Sequence, residues 1–199
     1  TGDNCTAVGK SALGSNTTAS NNTAVGYQSM ISNTTGASNV ALGNLSLYSA
    51  TTANDNTAIG SGALYSNTTG NSNTALAKNA LLSNTTANNN TAIGFDSLKA
   101  NTTGARNTAL GASALEANTT ANNNIAIGNQ SLEANTTGSE NTALGTYSLR
   151  SNTTAANNTG LGFQGLTANT TGTANVAVGY AALDANTTAS NNTAVGYNS

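Results

Sequence analysis

Asn22-Thr23-Ala24-Val25-Gly26-Tyr27-Gln28-Ser29-Met30-Ile31-Ser32-Asn33-Thr34-Thr35-Gly36 decides how this chain folds, because its pattern returns every 17 residues. Gly9 and Gly196 are 187 residues apart, which is eleven periods with no insertion or deletion. A polar chain this poor in charge invites a disordered reading. Disorder does not require an unbroken register, whereas stacked coils do, since a one-residue slip turns inward side chains outward.

Comparing equivalent positions down the repeats shows which are constrained. The Ala24 column is Ala except at Gly160, the Val25 column is always Val, Ile or Leu, and the Gly26 column is Gly except at Ala77. The Met30 column is otherwise Leu, the Ser29 column holds only Ser, Ala or Gly, and the Asn22 column is Asn except at Cys5. No charged residue enters the Ala24, Val25, Gly26, Ser29 or Met30 columns. Lys99, Glu116, Glu133, Arg150 and Asp184 share the column after Met30, and Asp55, Arg106 and Glu140 share the one before the Asn. Those two columns are expected to face solvent, with Lys99, Glu116, Glu133 and Arg150 stacked in order so that the cations relieve the adjacent glutamates. Glu116 and Glu133 also invite reading as a catalytic pair, but no acid-base partner accompanies them.

A second rhythm overlies the first. The residue after each Thr-Thr alternates, Ala19, Gly36, Ala53, Gly70 and so on to Gly172 and Ala189, so the duplicated unit is 34 residues. Either the two kinds of coil turn differently, since Gly enters backbone regions that Ala resists, or the alternation only records duplication.

The expected fold is all-β, a parallel β-solenoid or β-roll of about eleven 17-residue coils. Thr23-Ala24-Val25-Gly26 reads as a short strand. Val40, Ile125 and Val176 replace Thr in its first column, which predicts that the Thr23 and Val25 face is buried. The uniformly small Ala24 and Gly26 face would then be outward, closely approached by another surface. Gln28 to Ser32 reads as a second strand or as one short helical turn, and Asn-Thr-Thr as a corner. Stacked Asn columns are expected to bond along the axis. At about 4.8 Å per coil the rod would be roughly 50 Å long. Residues 1–199 read as a single array without caps. Thr1-Gly2 matches Thr35-Gly36, and Ser199 stops before the expected Leu, which predicts a segment of a longer array or a subunit that stacks head to tail.

Composition narrows function. Charged residues are 6% of the chain, the net charge is -2, and His, Trp and Pro are absent. That charge attracts neither nucleic acid nor an anionic membrane, and no apolar run has the roughly 18 residues of a membrane span. No phosphate loop, nucleophile-base set or metal cluster is present, so no catalytic residue, cofactor or metal is expected, and the chain is not expected to be an enzyme. The lone Cys5 reads as a small packed residue rather than a cross-link.

Two features suggest surface roles. Tyr27, Phe95, Phe163, Tyr180 and Tyr197 follow the glycine and form a candidate contact stripe, either for a neighbouring chain or for sugar rings and a host surface. Asn16, Asn33, Asn67, Asn84, Asn101, Asn118, Asn135, Asn152, Asn169 and Asn186 each open an Asn-Thr-Thr sequon for N-glycosylation; the competing reading is a structural corner that matches the sequon.

Asn39-Val40-Ala41-Leu42-Gly43, Asn124-Ile125-Ala126-Ile127-Gly128 and Asn175-Val176-Ala177-Val178-Gly179 resemble the head repeats of YadA-like trimeric autotransporter adhesins. Asn-Thr-Ala-Val-Gly-Tyr-Gln-Ser, followed by Ser-Asn-Thr-Thr-Gly, is also similar to repeats of bacterial surface proteins and phage tail fibres. The resemblance implies a left-handed parallel β-roll with three chains to a rod, although the 17-residue coil is longer than those head repeats. It implies an extracellular, cell-surface or virion-fibre location. The expected function is a structural fibre or filament segment. The alternatives are an adhesin head or tail-fibre shaft that binds a host receptor or glycan, and an ice-binding solenoid, which the corner position of the paired Thr disfavours.

Overall fold

The structure, a computed structural model, describes residues 2–199. Twelve three-residue strands follow one another at the repeat spacing: β1 Thr6–Val8, β2 Thr23–Val25, β3 Val40–Leu42, β4 Thr57–Ile59, β5 Thr74–Leu76, β6 Thr91–Ile93, β7 Thr108–Leu110, β8 Ile125–Ile127, β9 Thr142–Leu144, β10 Thr159–Leu161, β11 Val176–Val178 and β12 Thr193–Val195. They form one parallel sheet in sequence order, β1 to β12. Equivalent residues are paired, as with Thr23 and Val40 or Ala24 and Ala41. Parallel strands bond alternately to both neighbours. Thus Thr23 N–H donates to Asn39 O at 2.9 Å in the next coil, while Gly26 N–H donates to Val8 O at 2.8 Å in the previous one.

The buried face is the reverse of the sequence expectation. In β2 the middle residue is buried and its neighbours are half-exposed. Ala24, Ala41, Ala58 and their equivalents to Ala177 have no exposed surface, whereas Leu76, Leu110 and Ile127 are about two-fifths exposed. The coil is too narrow for two branched layers. Its core is the Met30 and Leu column, fully buried from Met30 to Leu166, meeting the Ala column of the strand. Gly160 marks that contact: a Cβ there would lie 3.4 Å from Leu149 Cγ and 2.5 Å from Ser148 Oγ. The small residues are therefore the interior, and the aliphatic row faces out.

No helical turn forms among the described residues between Gln28 and Ser32. Their N–H groups are used along the axis instead: Gln28 N–H donates to Lys10 O at 2.9 Å and Met30 N–H to Ser46 O at 3.0 Å. Reaching opposite neighbours from alternate residues puts Gln28 and Met30 at φ 52° and 50°, in the left-handed region. The same conformation recurs at Leu47, Leu115 and Leu166, and once more per coil in the column of Asn21. Asn supplies many of the latter positions because it tolerates that region.

The 34-residue rhythm has a structural cause. A Cβ placed on Gly36, Gly70, Gly104, Gly138 or Gly172 would overlap the carbonyl oxygen of the Ala that follows it one coil later. The Ala column itself is buried between Ala19 and Ala155. The corner thus has two packed forms, and only one of them has room for a methyl group.

Candidate functional site

The ten sequon asparagines are structural. Asn33, Asn67, Asn84, Asn101, Asn118, Asn135, Asn152 and Asn169 are fully buried. Each closes its own corner, and all but Asn67 bond the coil before, as where Asn101 Nδ2 donates to Gly104 O and to Asn84 Oδ1, both at 2.9 Å. A glycan there would displace one of those hydrogens from a buried, bonded amide. Asn16 and Asn186, on the end coils, are half-buried, and each amide donates to a corner carbonyl at 3.1 Å.

A second ladder runs through the Asn22 column. Asn56 N–H donates to Asn39 Oδ1 at 3.0 Å, while Asn56 Nδ2 donates to Gly70 O at 2.9 Å. These amides satisfy buried backbone groups that strands this short leave unpaired. The Thr34 column adds hydroxyl bonds to the next coil, such as Thr102 Oγ1 to Thr119 O at 3.0 Å. The Thr35 column is exposed from Thr18 to Thr188, and the Thr23 column, Thr in nine of the twelve strands, is half-exposed on the outward sheet face.

The outward sheet face offers a different surface. Val8, Leu76, Leu110, Ile127, Leu144 and Val195 are 36–70% exposed along one column, and Ile125 is 41% exposed beside it. The aromatic stripe stands where the sequence places it: Tyr27, Phe95, Phe163, Tyr180 and Tyr197 are 38–74% exposed. Phe163, Tyr180 and Tyr197 stack on one another with centroids 5.3 and 5.0 Å apart. Their inner faces are used by the stack, which leaves the edges outward. Phe95 instead lies 6.0 Å from the Lys78 ammonium, within cation-π range. No charged residue enters the strand columns.

The charged column forms a salt ladder as expected. Arg150 Nε lies 2.7 Å from Glu133 Oε2, and Lys99 Nζ lies 3.9 Å from Glu116 and 2.8 Å from Asp96. Asp96 was not singled out by column reasoning; it sits two residues before its coil's Leu98 and reaches Lys99 three residues on. Its carboxylate, accepting from the Lys99 ammonium, holds that group above its usual value. The pair therefore persists until pH rises through that raised value, and solvent at the 36% exposed Lys99 side chain screens its contribution to stability. A groove of about 500 Å³ follows these coils between the Leu82, Lys99, Glu116 and Glu133 side chains and the small Ala100 and Ala117. Both glutamates are engaged by cations there, and neither is buried. Among the described residues no group of three or more metal-ligating side chains occurs, and no helix is long and apolar enough to cross a membrane. No family model, curated protein or solved structure matches the chain.

Proposed function

We propose that this chain is a structural segment of an extracellular fibre, without enzymatic activity, and that its outward sheet face is buried against further copies of itself. The carrying observation is the outward row of Val, Ile and Leu in the Val25 column, which runs the length of the sheet without a charge, with aromatic side chains beside part of it. Contiguous exposed apolar surface of this kind marks an interaction site. Copies of the same rod repeat at the same axial spacing, so they can match it coil by coil. The likeness to YadA-like head repeats favours three chains about one axis and a cell-surface or virion-fibre location. Sugar, where present, belongs on the exposed Thr35 column rather than on the buried asparagines.

The exposed edges of Phe163, Tyr180 and Tyr197 support a second reading, an adhesin head or tail-fibre shaft that touches a receptor or glycan. On the outward sheet face the Thr23 column stands beside Val, Ile and Leu rather than beside a second rank of threonine, which gives less support to ice binding. Electron microscopy of the protein in its native material tests the first reading. Fibres thicker than one coil, with this sheet face at the contact, are expected. Isolated single-chain rods carrying that face in solvent would overturn it.

A further inference from the structure

We infer that the coil containing Ala50 holds one internal water molecule, in the place that an asparagine carboxamide takes in the neighbouring coils. Ala50 is the only residue other than Asn in the Asn33 column, and it is fully buried. Where the column is intact, each amide donates to the Oδ1 before it and to its own corner carbonyl, and accepts from the amide after it. Asn84 shows the pattern, donating to Asn67 Oδ1 at 2.9 Å and to Ala87 O at 3.2 Å and accepting from Asn101 Nδ2 at 2.9 Å.

Ala50 leaves three groups one bond short. Asn33 Oδ1 is buried without a partner, the sole such side-chain atom among the described residues. Ala53 O accepts from Asn39 Nδ2 at 2.8 Å but from no residue of the ladder, whereas Ala87 O accepts from both Asn73 and Asn84. Asn67 Nδ2 donates to Gly70 O at 2.9 Å and has no Oδ1 in the preceding coil to receive its second hydrogen.

The backbone does not close over the difference. Thr34 N–H donates to Thr51 O at 2.9 Å and Thr51 N–H to Thr68 O at 3.0 Å, beside 2.8 Å for Thr68 N–H to Thr85 O where the ladder is whole. The corner therefore keeps the size that an Asn side chain requires. A water molecule takes up roughly 30 Å³ and is retained where it finds two to four polar partners. Here its two hydrogens go to Asn33 Oδ1 and Ala53 O, and a lone pair accepts from Asn67 Nδ2. It reproduces the donor and acceptor set of the missing carboxamide, so the ladder continues through the solvent molecule.

The test is high-resolution diffraction from the unmodified chain and from Ala50→Asn, with water-selective nuclear Overhauser spectra of the same two proteins. The unmodified chain should show one ordered peak within hydrogen-bond distance of all three groups, and a transfer from long-lived water to the Ala50 methyl. Ala50→Asn should lose the peak, with its carboxamide at the peak's position. A dry corner in the unmodified chain, or an Asn33 amide turned to a protein partner, would overturn the inference.

Discussion

Replacing Asn118 by Ala tests whether the corner asparagines hold the stack. Asn118 Nδ2 donates to Asn101 Oδ1 at 2.8 Å and to Ala121 O at 3.2 Å, and Asn118 Oδ1 accepts from Asn135 Nδ2 at 3.1 Å. Ala121 O keeps its bond from Asn107, and Asn135 keeps its bond to Gly138, but Asn101 Oδ1 is orphaned. Each lost bond is worth about 1 kcal/mol net, and an unpaired buried acceptor costs about 1–3 kcal/mol. With the orphaned acceptor counted in place of its bond, and two further bonds lost, Asn118→Ala should lose about 3–5 kcal/mol, at the low end if water enters as inferred at Ala50. Asn129→Ala is the control: its amide makes one exposed 3.3 Å bond to Ala112 O, and the loss should stay within about 0.5 kcal/mol. Urea unfolding followed by circular dichroism reads both. Hydrogen exchange at Thr119 and Thr136, whose N–H groups donate to the next coil's threonine carbonyls, localises the effect because each coil depends on its neighbours. Equal losses in the two variants would show that the ladder is incidental to stability.

Further substitutions test the other columns. Ala126→Leu should destabilise the coil by about 1–3 kcal/mol through overpacking, while Ile127→Thr, on the exposed face, should change the melting of a dispersed chain little; the reverse order in thermal melts would restore the face assignment expected from sequence. Gly104→Ala should cost more than Ala121→Gly in urea titrations, because only the first places a methyl group against a carbonyl, with the second limited to about 1 kcal/mol of chain entropy and packing. Ala174→Gly, at an exposed φ of 55°, and Ala77→Gly, at φ 121° in the glycine column, should each raise the melting temperature by relieving about 1 kcal/mol of backbone strain.

The period, the parallel stacking, the asparagine ladders and the solvent-facing charge columns were legible because each leaves a constraint repeated in every coil. The direction of the strand was not. Val and Ile in the Thr23 and Val25 columns suggest a core when each strand is taken alone, and only the width of the coil shows that nothing larger than Ala24 fits opposite Met30. The turn at Gln28 and Met30 was obscured because Leu is neither a left-handed nor a turn residue by propensity; burial and bonds to both neighbouring coils hold it there. The corner at Gly36 offered two explanations of its alternation, and the carbonyl of Ala53 decides between them. The ladder defect at Ala50 was visible as a substitution, but its cost emerged only with the unpartnered oxygen of Asn33.

Sedimentation equilibrium of the purified chain, beside a variant carrying Leu110→Asp and Ile127→Asp, bears most directly on assembly through the outward sheet face. Both positions are exposed in the single rod, at 41% and 37%, so the charges should leave the coils folded. The unmodified chain should have a whole-number multiple of the chain mass, three being favoured, and the variant should fall to the mass of one chain with an unchanged circular dichroism spectrum. A single-chain mass for the unmodified protein at every concentration, or an assembly that survives both aspartates, would contradict burial of that face between copies.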